Sequence, residues 1–308
     1  MTAPVHSVRR AVLAGLAALL AGAALPPGAR AAEPVPVVAS FSILADFVQQ
    51  VGGDRVSVKA LVGPNGDGHV YQPTPADAKA LSAAKLVVIN GLGFEGWIPR
   101  LVKASGTKAP MVTASDGVSA RTMEEEEGGK RRTVTDPHAW QDVGNARLYV
   151  AKIRDGLKAA DPEGAATYEA NAVRYLAELD AVEAEVKAAI ARLPPDRRRI
   201  ITTHDAFGYF GRAYGFDFVA PQGVSTETEA SAKDVARIIR QIRAEKIPAV
   251  FLENVSDPRL MDRIAKETGA KIGGRLYSDA LSEPGGPAGT YIDMMRSNIR
   301  ELNEALSS

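Results

Sequence analysis

The sequence predicts an α/β protein of two lobes, each a mostly parallel sheet flanked by helices, joined by one long rigid helix. Three observations carry this. Strand-like and helix-like segments alternate from Val35 to Asn90, the same alternation resumes from Arg199 to Leu306, and a long helical pattern separates the two. Alternation of this kind implies parallel strands with helices on both faces.

In the first lobe, Val35 to Phe41 is β-branched and apolar, and Ile43 to Val51 has the spacing of a helix. Val56 to Val62 is a second strand, running into the turn-rich stretch Gly63 to Gly68. Pro75 to Leu81 is helical, and Lys85 to Asn90 is a buried strand beside Gly91 and Gly93. The alternation then breaks at Met123 to Thr135, where Glu124 to Glu127 precede Lys130, Arg131 and Arg132. A charge run with glycines predicts a mobile surface loop.

Asp161-Pro162 opens the longest helical pattern, and Pro suits a first helical turn. Tyr168, Tyr175, Leu179, Val182, Val186, Ile190 and Leu193 recur at three- and four-residue spacing until Pro194-Pro195. About 31 residues at about 1.5 Å each reach roughly 45 Å, the length of a strut between lobes. Beyond it, strands are expected at Arg199 to Thr203, Phe216 to Ala220, Ala249 to Leu252 and Lys271 to Leu276. Helices are expected at Asp205 to Tyr214, Ser231 to Glu245, Pro258 to Thr268 and Thr290 to Leu306, with Ser231 and Asp234 as a capping pair. The expected boundaries are a first lobe over 32–160, a linking helix over 161–195 and a second lobe over 196–308.

Residues 1–31 have the order of a secretory signal peptide: a short segment carrying Arg9 and Arg10, the apolar run Ala11 to Leu25, and Ala29-Arg30-Ala31 as a cleavage site. The apolar run falls short of the ~20 residues that span a bilayer. Arg9-Arg10 matches a twin-arginine signal only loosely. The chain has no cysteine, so neither a lipidated cysteine nor a disulfide is expected, and a free, monomeric protein of the periplasm is the expectation. Its 37 basic and 37 acidic residues balance; losing Arg9, Arg10 and Arg30 leaves 34 against 37, a net of −3. That balance gives no footprint for nucleic acid or an anionic membrane.

Histidine is rare. His6 lies in the leader, which leaves His69, His138 and His204, each after a strand-like segment or turn. Asp279 occupies the same kind of position after the last strand. Ligands in α/β proteins gather beyond the carboxyl ends of the strands. Three imidazoles and a carboxylate fill a tetrahedron around Zn²⁺, and imidazole suits Zn²⁺, Cu²⁺ and Ni²⁺ better than Mn²⁺. Asp67, Asp136 and Asp205 stand beside the histidines as candidate acceptors for their second ring nitrogens, and Asp136 and Asp205 alternatively as caps of turns or helices. Trp140, Tyr71 and Phe207 are candidate walls that keep water out.

Several stretches resemble the zinc/manganese solute-binding proteins of ABC importers, the ZnuA/TroA-like family. They are Gly63-Pro64-Asn65-Gly66-Asp67-Gly68-His69-Val70-Tyr71-Gln72-Pro73-Thr74-Pro75, Asn90-Gly91-Leu92-Gly93-Phe94-Glu95, Asp136-Pro137-His138-Ala139-Trp140 and Thr203-His204-Asp205-Ala206-Phe207-Gly208-Tyr209-Phe210, with Ser225 to Ser231 and Tyr277-Ser278-Asp279. The resemblance runs from about Val35 to the end and implies two α/β lobes with a metal between them. It implies His69, His138, His204 and Asp279 as ligands, Zn²⁺ (or Mn²⁺) as the carried ion, and an ABC importer permease as partner. Members resembling manganese carriers usually have Glu at the third position; His204 here implies zinc.

The resemblance is incomplete. Zinc carriers of the family often have a His-rich loop between the first two ligands, and Met123 to Thr135 has no His. Its glutamates are read first as solvated, and alternatively as collecting zinc or receiving it from a periplasmic zinc chaperone. A secreted zinc hydrolase is the competing function if Asp279 is a general base rather than a ligand. An adhesin is a third, disfavoured by the lack of an anchor.

Overall fold

The structure is a computed structural model that describes residues 33–127 and 130–307, with backbone only at 126, 127 and 130. The expected signal peptide lies outside the described residues. From Pro34 onward the chain forms one contact unit containing two parallel sheets.

The first sheet has strand order β2-β1-β3-β4, from β1 (Val35–Phe41), β2 (Val56–Val62), β3 (Leu86–Ile89) and β4 (Met111–Thr113), all parallel. Helices α1 (Ser42–Gly52), α2 (Pro75–Ala83) and α3 (Ile98–Ser105) connect them. Thr74 and Asp77 form a reciprocal capping box on α2, which stops the loop that carries His69 at a defined place. The short β4 and α3 were not foreseen.

The stretch 123–135, expected as a loop, is instead most of an antiparallel hairpin of β5 (Arg121–Glu127) and β6 (Lys130–Asp136). Register explains this: Glu125 opposes Arg132, and their side chains pair at 3.7 Å. Opposite charges facing across a ladder stabilise it. The hairpin delivers Asp136 directly ahead of His138.

Two long helices follow, α4 (Val143–Ala160) and α5 (Ala165–Ile190). The strut is α5, of 26 residues, about 39 Å long and shorter than expected at both ends. At its start Pro162 belongs to a 3₁₀ turn, Pro162–Gly164. At its end the Arg198 guanidinium donates to the carbonyls of Ile190 (3.0 Å) and Leu193 (2.7 Å), adding partners to the carbonyls at the helix end. The apolar stripe Tyr168, Tyr175, Leu179, Val182, Val186 and Ile190 is buried as its spacing predicts. It packs on α1 and α4 of the first lobe and on the last helix of the second.

The second sheet has order β10-β9-β7-β8, from β7 (Arg199–Ile201), β8 (Asp217–Val219), β9 (Ala249–Glu253) and β10 (Lys271–Leu276), again parallel. Its helices are α6 (Gly208–Tyr214), α7 (Ala232–Glu245), α8 (Arg259–Thr268) and α9 (Tyr291–Leu306). Ser231 caps α7 and Thr290 caps α9, each accepting from an Asp backbone N–H three residues on.

Side chains alternate across this sheet. Ile200, Ala249 and Phe251 join a large core shared with the first lobe, whereas Ile201 and Val250 face a smaller cluster under α7 and α8. The large core runs without interruption from β1 to α9. Hydrogen bonds cross with it: Leu281 N–H donates to Ser42 Oγ (2.9 Å), and Tyr291 N–H donates to Asp46 Oδ2 (2.8 Å).

Candidate metal centre

The four residues singled out by sequence meet at one point between the lobes. His69 lies beyond β2, His138 beyond β6, His204 beyond β7 and Asp279 beyond β10. Three of these strands belong to the parallel sheets; β6 belongs to the hairpin.

His69 is set by its loop. Asn65 adopts a left-handed φ of 54°, and Asp67 Oδ1 accepts the His69 backbone N–H at 2.9 Å. Asp67 Oδ2 accepts from Thr226 Oγ1 of the second lobe at 2.6 Å. Asp67, expected as an acceptor for the ring, instead shapes the loop through the His69 backbone. Trp97 Nε1 donates to the Gly68 carbonyl at 2.8 Å, and the Phe94 ring packs against the His69 ring with centroids 4.7 Å apart. A Cβ at residue 68 would sit 2.5 Å from the Phe94 ring, so this approach needs glycine.

His138 is held by Asp136, whose Oδ1 accepts the His138 backbone N–H (3.0 Å) and pairs with Nδ1 (2.9 Å). Asp136 Oδ2 accepts from Arg121 at 2.5 Å, so the hairpin base buttresses His138. Asn90 donates to the Pro137 carbonyl at 3.0 Å. Trp140 lies behind the His138 ring and donates to the Ser278 carbonyl at 2.9 Å, tying the His138 turn to the Asp279 loop.

His204 has a buried neighbour that spacing did not reveal. Glu253 Oε2 lies 2.5 Å from His204 Nδ1. Asp205, expected as an acceptor, uses its backbone N–H on the Gly223 carbonyl, and burial with nearby Asp136 pushes its carboxyl up to about 6. Tyr71 bonds Asp77 and packs on Trp97, and Phe207 stacks on Phe218. The aromatic walls that touch the histidines are Phe94 and Trp140.

With Nδ1 of His138 and His204 turned outward, the Nε2 atoms face inward. His69 Nε2 is 3.2 Å from His138 Nε2 and 3.4 Å from Asp279 Oδ2. Asp279 Oδ1 is 3.5 Å from His138 Nε2, and Oδ2 is 3.2 Å from His204 Nε2. His138, His204 and Asp279 are fully buried, and His69 is 6% exposed, the side of the cluster nearest solvent. Neither Asp279 oxygen nor His204 Nε2 has a hydrogen-bond partner among the described residues. Buried polar atoms left in that state are costly, and a cation at the shared focus satisfies all of them together.

Charge runs the same way. Burial opposes an imidazolium at His138, but the carboxylates of Asp279 and Asp136 outweigh it and push the pKa up to about 9. At His204 burial is likewise outweighed, by Glu253 and Asp279, and the pKa stands well above the ordinary value. Burial opposes ionisation of Asp279 too, yet His204 and His138 hold its carboxyl well below the usual range. Burial pulls His69 down, only partly offset by Asp279.

The sequence profile of the family described as zinc-uptake complex component A, periplasmic (ZnuA), matches residues 37–305. The chain belongs to this family. It is a metal-binding substrate-binding protein of an ABC importer. The manganese-binding lipoprotein MntA of Halalkalibacterium halodurans is 36% identical over 275 residues, covering 89% of each chain. The iron-binding protein YfeA of Yersinia pestis is 33% identical over 268 residues, covering 87% of this chain and 85% of its own. The periplasmic zinc binding protein TroA of Treponema pallidum superposes with a TM-score of 0.82 at 33% identity, over 89% of this chain and 99% of that one. These relatives are named for three different metals. No helix among the described residues is long and apolar enough to cross a membrane.

Proposed function

We propose that this protein captures Zn²⁺ outside the cytoplasm through His69, His138, His204 and Asp279 and hands it to an ABC importer permease. One observation carries the reading: one ligand atom from each of three imidazoles and a buried carboxylate lies within 4.8 Å of all the others, and His69–His138 and the three contacts to the Asp279 carboxylate are 3.2–3.5 Å. A tetrahedron with metal–ligand bonds of about 2.0–2.1 Å has edges about 1.63 times as long, or about 3.3–3.4 Å. A nitrogen-rich set of this size favours zinc over manganese, whose sites are richer in oxygen. Four protein ligands leave no position for a reactive water, which supports carriage over zinc hydrolysis. The family's description as periplasmic supports the location.

Manganese is the second reading, favoured by the name of the MntA relative. Competition calorimetry on the purified chain separates the two. Zn²⁺ is expected to displace bound Mn²⁺ and to resist displacement by it, and His138→Ala or His204→Ala is expected to weaken zinc binding by orders of magnitude. Preferential retention of Mn²⁺ would overturn the assignment of zinc. Unchanged affinity in either variant would remove that residue from the site.

A further inference from the structure

His204 is held differently from the other two histidines. Its loop leaves β7 at Ile201, and β7 pairs with β9, whose last residue is Glu253. Sheet pairing therefore brings a carboxylate from 49 residues away under the His204 loop. Glu253 Oε1 accepts two backbone N–H groups, from Thr203 at 2.7 Å and His204 at 2.9 Å. Oε2 faces His204 Nδ1, and neither atom is engaged by another hydrogen-bonding group among the described residues. Glu253 is only 2% exposed. A carboxylate that deep needs partners for both oxygens, and its second oxygen has the imidazole alone.

We infer that Glu253 is the positioning residue that makes His204 a metal ligand, by accepting the Nδ1 proton and leaving the Nε2 lone pair directed at the metal. The inference rests on His204 being a ligand. Neutral imidazole carries one N–H, and an ionised carboxylate can only accept, so the nitrogen beside Glu253 must hold the proton. Such outer partners fix both tautomer and ring orientation of a ligating histidine.

Glutamine at this position separates orientation from support. Its amide oxygen can still accept the N–H groups of Thr203 and His204, so the loop keeps its anchor. Its NH₂ then lies against Nδ1 and donates to it. The ring proton moves to Nε2, where it blocks the metal.

The test is zinc calorimetry on the full chain for wild type, Glu253→Gln, His204→Ala and the double variant, with apo melting temperatures recorded alongside. Glu253→Gln is expected to bind zinc about 10–100-fold more weakly. The double variant is expected to match His204→Ala, because Glu253 acts through His204. Glu253→Gln with wild-type affinity, while His204→Ala is weakened, overturns the inference and leaves His204 a ligand. Unchanged affinity in His204→Ala overturns the ligand reading itself. Additive losses in the double variant place the action of Glu253 elsewhere and also overturn the inference. If Glu253→Gln fails to fold, ¹⁵N-imidazole NMR of the zinc-loaded wild type decides. A protonated Nδ1 and metal-bound Nε2 at His204 is the expected result, and metal on Nδ1 is the contrary one.

Discussion

Metal capture by this cluster must release protons, and the number follows from the geometry. With Asp279 ionised between them, His138 titrates at about 9 and His204 well above the ordinary histidine value. At pH 7 a group titrating near 9 is about 99% protonated. Both imidazoles must be neutral to ligate, so a metal ion displaces about two protons. His69, pulled down by burial, adds none. Each displaced proton makes apparent affinity rise about tenfold per pH unit, so two give about 100-fold, or about 2.7 kcal/mol, for each pH unit near neutrality. Calorimetry at pH 7 in buffers of different ionisation enthalpy reads the proton count as a slope. A slope of zero would mean that His138 and His204 are already neutral in the apo protein, and would refute this electrostatic account.

Other outcomes follow from the same structure. In the apo protein the raised His138 contributes stability that is full below its unfolded value of about 6.5 and lost as pH rises through about 9. The depressed Asp279 contributes above the usual carboxylate range and is lost as pH falls below it. Apo melting temperature should therefore decline from pH 6.5 to 9 while the stabilisation conferred by zinc grows, which paired thermal scans will check. Arg121→Ala leaves the buried Oδ2 of Asp136 without its cation, and should cost about 1–3 kcal/mol and loosen zinc binding up to about tenfold; denaturant titration and calorimetry measure the two. Phe47→Ala empties a fully buried position packed by Tyr149, Tyr175 and Tyr291 at the helix junction. A loss of about 3–5 kcal/mol is expected in urea unfolding, with zinc stoichiometry retained.

The candidate cluster was legible because histidine is so scarce: apart from His6, the three that remain each stand where a loop leaves a strand or turn. Asp279 shares that kind of position, after the last strand, but among so many acids it depended most on the resemblance. Glu253 was harder still. It is separated from His204 by α6, β8 and α7 and becomes its neighbour only through pairing of β7 with β9. The signal present was a charged residue ending the apolar strand Ala249 to Leu252.

The hairpin was misread because dense charge resembles solvated loop. Only the pairing of the two strands, with Glu125 against Arg132, shows that opposite charges meet across it. Helix α4 went unread although Val143, Ala146, Tyr149, Val150, Ile153 and Leu157 repeat at helical spacing and are buried. The strut was overestimated because Pro162 and the residues after Ile190 continue the apolar pattern without continuing α-helical hydrogen bonding.

Anomalous diffraction from crystals grown with equal Zn²⁺ and Mn²⁺ tests the central claim most directly. The account predicts one strong peak at the zinc edge, within about 2.0–2.2 Å of Nε2 of His69, His138 and His204 and of the Asp279 carboxylate. A manganese peak at that point, or a zinc ion with an open coordination position or bound elsewhere, would contradict it.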